Sequence, residues 1–265
     1  MPELPEVHTI VTLIRPRIKG KTIASMWSDT PRLFRMGKGR ADFEKRVIGK
    51  KITDVTRIGK NITVHLSDGS IFLIHLMMTG WLLMNPPESE RRHIRLRIQF
   101  TDGDTLALSD IRKFGMVRHH TPELKIGTDA LSMPYAEFHA ILKNRKTPMK
   151  SLLLNQSLIG GIGNIYSDEI LWRAGVRPAR KAASLKESEI KALFTAMKFV
   201  LNKAIKKEGT SSRDYRKPDG SEGGYYAVRT AYQRTGEQCG RKDGGIIKRI
   251  VIGQRSAHFC PVHQR

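Results

Sequence analysis

The chain has 265 residues, 39% hydrophobic and 27% charged, which is enough apolar material for a core and excludes global disorder. It carries 47 Lys+Arg against 25 Asp+Glu, a formal net charge of +22 spread along the chain, so a folded surface for a polyanion is the direct reading. Two cysteines exclude a disulfide framework, no run reaches the ~18 apolar residues of a membrane span, and Met-Pro-Glu begins no basic-then-apolar leader, so a cytoplasmic protein is expected.

Val7, Ile10, Val11 and Ile14 recur at i, i+3, i+4 and i+7, which predicts an amphipathic helix from about Pro5. Glu6 suits its positive end, and Pro16 and Gly20 are expected to stop it. From about Lys21 to Arg118 the period falls to two. Ile62, Val64 and Leu66 alternate, a turn follows at 67–70, and 71–76 returns as a nearly continuous apolar strand. Ile94, Leu96, Ile98 and Phe100 alternate again, with a turn at 101–104 before Leu106 and Leu108. Short strands with regular turns read as a sandwich or barrel.

After about His120 the pattern is helical. Leu152, Leu153 and Leu154 end one helix. Gly160, Gly161 and Gly163 predict a tight turn with bare backbone, and Asn164 is expected to cap a helix running to about Ala174, stopped by Gly175 and Pro178. Glycines before a helix N-terminus can offer N–H groups to a phosphate; a glycine-rich connector is the plainer alternative. Ser184 and Glu187 have capping-box spacing ahead of an apolar face at Ile190, Leu193, Met197 and Leu201. Residues 210–226, rich in Gly, Ser, Asp and Tyr, predict a long mobile loop. The chain closes with a predicted β-hairpin, strands near 246–252 and around Phe259.

The first constellation with chemical meaning is Met1-Pro2-Glu3. Removal of Met1 leaves Pro2 a free secondary amine, which attacks a sugar aldehyde carbon to give a charged iminium, a strong electron sink. An α-amino group titrates near ~7.7–8.0, so part of it is unprotonated at neutral pH. Glu3 can supply a proton. An ordinary helix entrance would contain the same residues.

Residues 2–7, Pro-Glu-Leu-Pro-Glu-Val, and 161–169, Gly-Ile-Gly-Asn-Ile-Tyr-Ser-Asp-Glu, together resemble the formamidopyrimidine-DNA glycosylase family, related to the Nei-type endonucleases. The resemblance covers essentially the whole chain, and Leu4 is more similar to the formamidopyrimidine/8-oxoguanine branch. It implies an α+β multidomain fold: a catalytic β-sandwich at 1–120 with a flanking helix, a linker at 121–135, a helix–two-turn–helix domain at 136–226 and a zinc-finger-like hairpin at 227–265. DNA is expected between the sandwich and the helical domain.

The implied activity is excision of oxidised purines from double-stranded DNA, followed by β,δ-elimination at the abasic site, by a monomer associated with the bacterial nucleoid. Pro2 is the implied nucleophile, Glu3 protonates the sugar ring oxygen, and Lys60 is a proton donor and phosphate contact. Met78, Arg112 and Phe114 match a trio that fills the void left by an extruded nucleotide, and the Arg112–Phe114 spacing predicts one side of a strand. His93, Lys150 and Asn164 fall on DNA-contact positions, Arg255 on the hairpin's phosphate-gripping position with a part in δ-elimination. The 210–226 loop matches the segment that closes over the flipped base.

The hairpin departs from the family's two Cys-x-x-Cys pairs. Cys239 is followed by Lys242 where a second cysteine is usual, and Cys260 by His263. Cys239, Cys260 and His263 keep zinc-ligand chemistry, with Asp243, another side chain or water as the fourth ligand; a zincless hairpin is the alternative. Two other functions fit the same residues: a Nei-like glycosylase for oxidised pyrimidines, and a lesion-binding protein that does not cut. Retention of Pro2 and Glu3 argues against the latter.

Overall fold

In a computed structural model, described for residues 1–119, 125–212 and 214–265, the chain divides into two units: 1–124 with 207–224, and 125–206 with 225–265. The segment 207–224 therefore packs with the first unit, whereas the resemblance implied one domain over 136–226. The start of the expected linker, through residue 124, and position 213 of the expected loop lie outside the described residues.

The first unit opens with helix α1 (Leu4–Ile18), which buries Val7, Ile10, Val11, Ile14 and Ile18 on one face. Pro16 does not stop it. The ring sits in the last turn, where it removes a single intrahelical bond, and the helix closes with Lys19 N–H on the Arg15 carbonyl. The strands are β1 (Ile23–Trp27), β2 (Ile52–Ile58), β3 (Asn61–Leu66), β4 (Ile71–His75), β5 (Trp81–Met84), β6 (Ile94–Phe100), β7 (Thr105–Ser109) and β8 (Met116–His119). They form two antiparallel sheets ordered β1-β6-β7-β5 and β2-β3-β4-β8. Alternating side chains from both sheets, among them Ile62, Val64, Phe72, Ile98 and Leu108, share one core with α1. A short helix, α2 (Arg40–Val47), interrupts the predicted strand region. Only Phe43 and Val47 face inward from it, too few apolar positions to carry a helical period.

The second unit is built around α5 (Asn164–Ala174), in which every residue from Ile165 to Trp172 is buried. Against it pack α4 (Met149–Leu154), α6 (Glu187–Lys206) and the hairpin of β11 (Lys248–Ile252) and β12 (Arg255–Phe259), while α3 (Tyr135–Leu142) packs on α6. Two-residue strands β9 (Thr128–Asp129) and β10 (Ile159–Gly160) pair in parallel beside the glycine turn. The Ser184 box does not form. Ser184 Oγ donates to the Lys181 carbonyl, and the cap lies two residues on, where the Lys186 N–H donates to Glu189 and Arg180 braces the same carboxylate. Gly175, in the left-handed region, ends α5 as expected. Among the described residues no helix is long and apolar enough to cross a membrane.

Candidate functional site

In the first unit the chemistry gathers at one end of the β2-β3-β4-β8 sheet. The β2–β3 hairpin closes through a two-residue turn, Gly59–Lys60, with Gly59 at positive φ. Register then sets Asn61 opposite His75, and His75 opposite Met116. The Lys60 turn, the loop after β4 and the loop before β8 thus share an edge. Lys60 is buried. Burial first, and then the charges of Lys60, Arg118 and Arg35, hold the His75 imidazole down at about 4. It is neutral at physiological pH, and its Nδ1 accepts the Met77 N–H at 3.0 Å.

Met78, 39% exposed, projects from that loop. Arg112 meets it at 3.4 Å from Nη1 to Sδ, and the guanidinium lies 4.6 Å from the centre of the Phe114 ring. The three residues of the expected trio are therefore in contact. They do not share a strand: 111–115 is a loop, with Lys113 in the left-handed region. The cause is Asp110, which draws the N–H groups of Arg112, Phe114 and Gly115 inward onto its carboxylate. Arg35 clamps the other side through the Phe114 and Gly115 carbonyls. His93, at the end of a short 3₁₀ turn, accepts from Arg92 through Nε2 and from the Asp110 N–H through its carbonyl.

Pro2 and Glu3 are buried at the head of α1. Glu3 is the N-cap of a reciprocal capping box: its carboxylate accepts the Glu6 N–H, and Glu6 Oε2 accepts the Glu3 N–H at 2.8 Å. Glu6 Oε1 takes the Thr210 N–H at 2.7 Å. Gly209, at φ +85, makes this approach possible: a Cβ there would lie 2.9 Å from the Glu6 side chain. The segment that composition reads as mobile is tied further by Trp81 Nε1–H on the Lys217 carbonyl and by Tyr215, buried in the core. With Met1 in place the Pro2 nitrogen is an amide, so an amine exists only once Met1 is removed.

The second unit departs more from expectation. Lys150, expected to face DNA, is fully buried; its Nζ donates to Asp168 Oδ1 at 2.7 Å and to the Asn164 carbonyl at 3.0 Å. Asp168 Oδ2 in turn meets His258 Nδ1 at 2.7 Å, which fastens β12 to α5. Asn164 is the first residue of α5, not its cap; Gly163 is the cap, and Asn164 Oδ1 is buried without a hydrogen-bond partner. The Gly161 N–H is taken by Gln156 Oε1, whose amide also donates to the Ile162 carbonyl. Glu169, unassigned in the sequence reading, accepts the Thr230, Ala231 and Tyr232 N–H groups and so organises 230–232. Arg255 is exposed and opens β12 directly after the Gly253–Gln254 turn.

Cys239, Asp243, Cys260 and His263 converge, their donor atoms all within 4.8 Å of one another. The thiol–imidazole and thiol–carboxylate edges, each 3.5 Å, are close to the roughly 3.3–3.8 Å edges that tetrahedral zinc bond lengths imply, while His263 Nδ1 and Asp243 Oδ2 stand closer, at a hydrogen-bond distance of 2.7 Å. His263 Nε2 donates to the Trp172 carbonyl at 3.0 Å, which leaves Nδ1 to face the cluster. The Gly245 N–H, and then His263, hold the Asp243 carboxyl down at about 2. A Cβ on Gly245 would lie 2.3 Å from Cys260 Sγ, so the cradle admits no side chain there. The donor set fits a metal ion.

A basic chain with a proline–glutamate pair at the head of a β-sandwich, a Met–Arg–Phe cluster at one end of its sheet and a helical unit with a metal-fit hairpin has the make-up of a DNA glycosylase of the sandwich-plus-helical kind. Two family signatures match, the formamidopyrimidine-DNA glycosylase N-terminal domain over residues 1–117 and the formamidopyrimidine-DNA glycosylase H2TH domain over 126–216. The chain belongs to the formamidopyrimidine-DNA glycosylase family. It is 40% identical to the formamidopyrimidine-DNA glycosylase of an Exiguobacterium strain over 98% of each chain, and 38% identical to that of Solibacter usitatus over 100% of each. It is also similar to Lactococcus lactis Fpg in complex with abasic-site DNA, at TM-score 0.88, 32% identity and 99% coverage of each chain. A Lactococcus lactis variant with Fapy-dG DNA matches at TM-score 0.89, 32% identity and 100% coverage of each chain.

Proposed function

We propose that this chain excises 8-oxoguanine and formamidopyrimidines from double-stranded DNA and cleaves the abasic site that results. The observation that carries the reading is the contact of Met78, Arg112 and Phe114 at the Lys60 end of the sheet. An extruded nucleotide leaves a hole and an orphaned partner base. An exposed thioether fills the hole, an aromatic ring wedges the opposite strand, and a guanidinium offers donors to the orphan.

Once Met1 is removed, the Pro2 nitrogen bonds to C1′ as the bond from C1′ to the base breaks, and the base leaves with a proton. The Glu3 carboxyl protonates the ring oxygen as the sugar opens to the iminium. Loss of a proton from C2′ expels the 3′ phosphate, and a second elimination expels the 5′ phosphate. Hydrolysis of the Schiff base then returns the amine. Lys60 and Arg255 serve the phosphates and the proton transfers of these eliminations.

Borohydride reduction of the protein with an 8-oxoguanine·cytosine duplex tests this. The expected product is a covalent adduct at Pro2, formed by protein lacking Met1 and absent when Met1 is retained. Cutting at full rate by protein that retains Met1 overturns the Pro2 mechanism.

The second unit's cluster is proposed to hold one zinc ion through Cys239, Cys260, His263 and Asp243. Bound there, the ion supplies folding free energy to a hairpin with little core of its own. Elemental analysis is expected to find about one zinc per chain. Full DNA binding after chelation, together with substoichiometric zinc, would make this a zincless hairpin.

A further inference from the structure

Asp110 is only 1% exposed and, among the described residues, makes no side-chain ion pair; its carboxylate is filled by neutral donors from two different loops. Oδ1 accepts the Thr79 hydroxyl, from the loop that carries Met78, and the Arg112 N–H at 3.2 Å. Oδ2 accepts the Phe114 N–H at 2.8 Å and the Gly115 N–H at 2.7 Å. A carboxylate offers about four lone-pair sites, and all four are taken. Its backbone is held as well, since the Asp110 N–H donates to the His93 carbonyl and the Asp110 carbonyl accepts from Arg95 Nε.

From this geometry we infer that Asp110 is the positioning residue that makes Met78, Arg112 and Phe114 move into a duplex as one rigid wedge. The inference rests on the proposed function, because it assigns the wedge its mechanics. Met78 and Phe114 stand on different loops, with Thr79 and Asp110 31 residues apart in sequence, and their direct link is a soft one through Arg112. Asp110 instead ties the backbones beneath them. Thr79 is the residue next to Met78, and the Arg112 and Phe114 amides are those of the wedge residues themselves. Buried charge-assisted hydrogen bonds of this kind are the strong ones, and they resist the reaction force of unstacking bases. Without the carboxylate each loop enters the stack separately, and the void is filled more slowly than it opens.

Two variants separate this from a merely structural role. Asp110→Asn keeps the volume. Its amide can turn to donate to Thr79 while its oxygen still serves Phe114 and Gly115, so the Arg112 N–H alone is left facing a donor. Thr79→Val keeps the shape and removes the bond between the loops. Insertion is read directly, without chemistry, by stopped-flow fluorescence of 2-aminopurine placed opposite a tetrahydrofuran lesion. Losing one such hydrogen bond predicts roughly 10-fold slower insertion for each variant. The kcat for 8-oxoguanine excision should fall by the same factor while KM moves little. Cleavage of a preformed abasic site should fall less, because no stacked base has to be withdrawn.

Insertion at the wild-type rate in Thr79→Val overturns the inference, whether or not Asp110→Asn folds. So does an equal loss of excision and abasic-site cleavage in step with a lower thermal midpoint. A wild-type protein that inserts but never excises 8-oxoguanine refutes the proposed function and leaves the insertion measurement to judge Asp110.

Discussion

Two buried aspartates, one in each unit, solve opposite problems. Asp110 is surrounded by neutral N–H and O–H donors, and the side chains it orders, Met78 and Arg112, stand exposed. Asp168 is completely buried between Lys150 and His258, and its partners are buried with it. The first carboxylate presents groups to the outside; the second fastens α4 and β12 to α5. A motif residue near a binding surface can therefore be scaffold, and only its partners and its burial tell which.

The comparison breaks most visibly at Lys150. Removing one member of a buried ion pair leaves the other charge uncompensated, which costs about 3–5 kcal/mol. Lys150→Ala is thus expected to lose that much stability in urea unfolding, with Asp168 left to His258. A loss below about 1 kcal/mol would return Lys150 to the solvent-facing role its sequence position suggested.

Histidines sharpen the contrast next. His75 is held neutral, its imidazole lowered from 6.5 to about 4, whereas His258 sits on a carboxylate. Between those two pH values the unfolded chain takes up a proton at position 75 that the native protein refuses. The His75 contribution is therefore complete above pH 6.5 and is lost as pH falls toward 4. Its slope is at most about 1.4 kcal/mol per pH unit. His75→Gln should flatten the stability profile in that window, as read by thermal melts from pH 7 downward; an unchanged profile would assign the acid sensitivity elsewhere.

Smaller effects are expected where groups are only presented. Phe114→Ala should change stability by less than about 1 kcal/mol while abolishing most of the 2-aminopurine response. Arg255→Ala should be smaller still, within about 0.5 kcal/mol, yet it should reduce the log–log salt slope of DNA binding by about one. An unaltered slope would remove Arg255 from the phosphate contacts.

Much of this arrangement was legible in the chain. Alternation at 62–66 and 94–100 marked real strands because one face of each lies in the core, and the Arg112-x-Phe114 motif marked two side chains that do meet, though from a loop and not a strand. What escaped has a common cause. The bend at 111–115 depends on a carboxylate accepting backbone amides, and backbone amides leave no trace in residue type. The helix at 40–47 buries two side chains only. Lys150 and Asp168 are 18 residues apart, and nothing local marks them as a pair; likewise Glu169 meets its partners more than 60 residues on. The His263 and Asp243 positions were readable because metal donors are scarce residue types, and scarcity is a signal that hydrogen-bond donors in general lack.

The bond from Thr210 to Glu6 spans 204 residues, and it sets a timetable. A ribosome delivers the N-terminus first, so the first unit stays without Thr210, Tyr215 and the Trp81 tether until the chain has grown past residue 217. For most of synthesis the head of α1 is an unfinished wall, with the Glu6 carboxylate lacking the Thr210 amide. The head of α1 is thus completed by a segment that leaves the ribosome late. Completion of the first unit is thereby ordered in time by the path of the backbone.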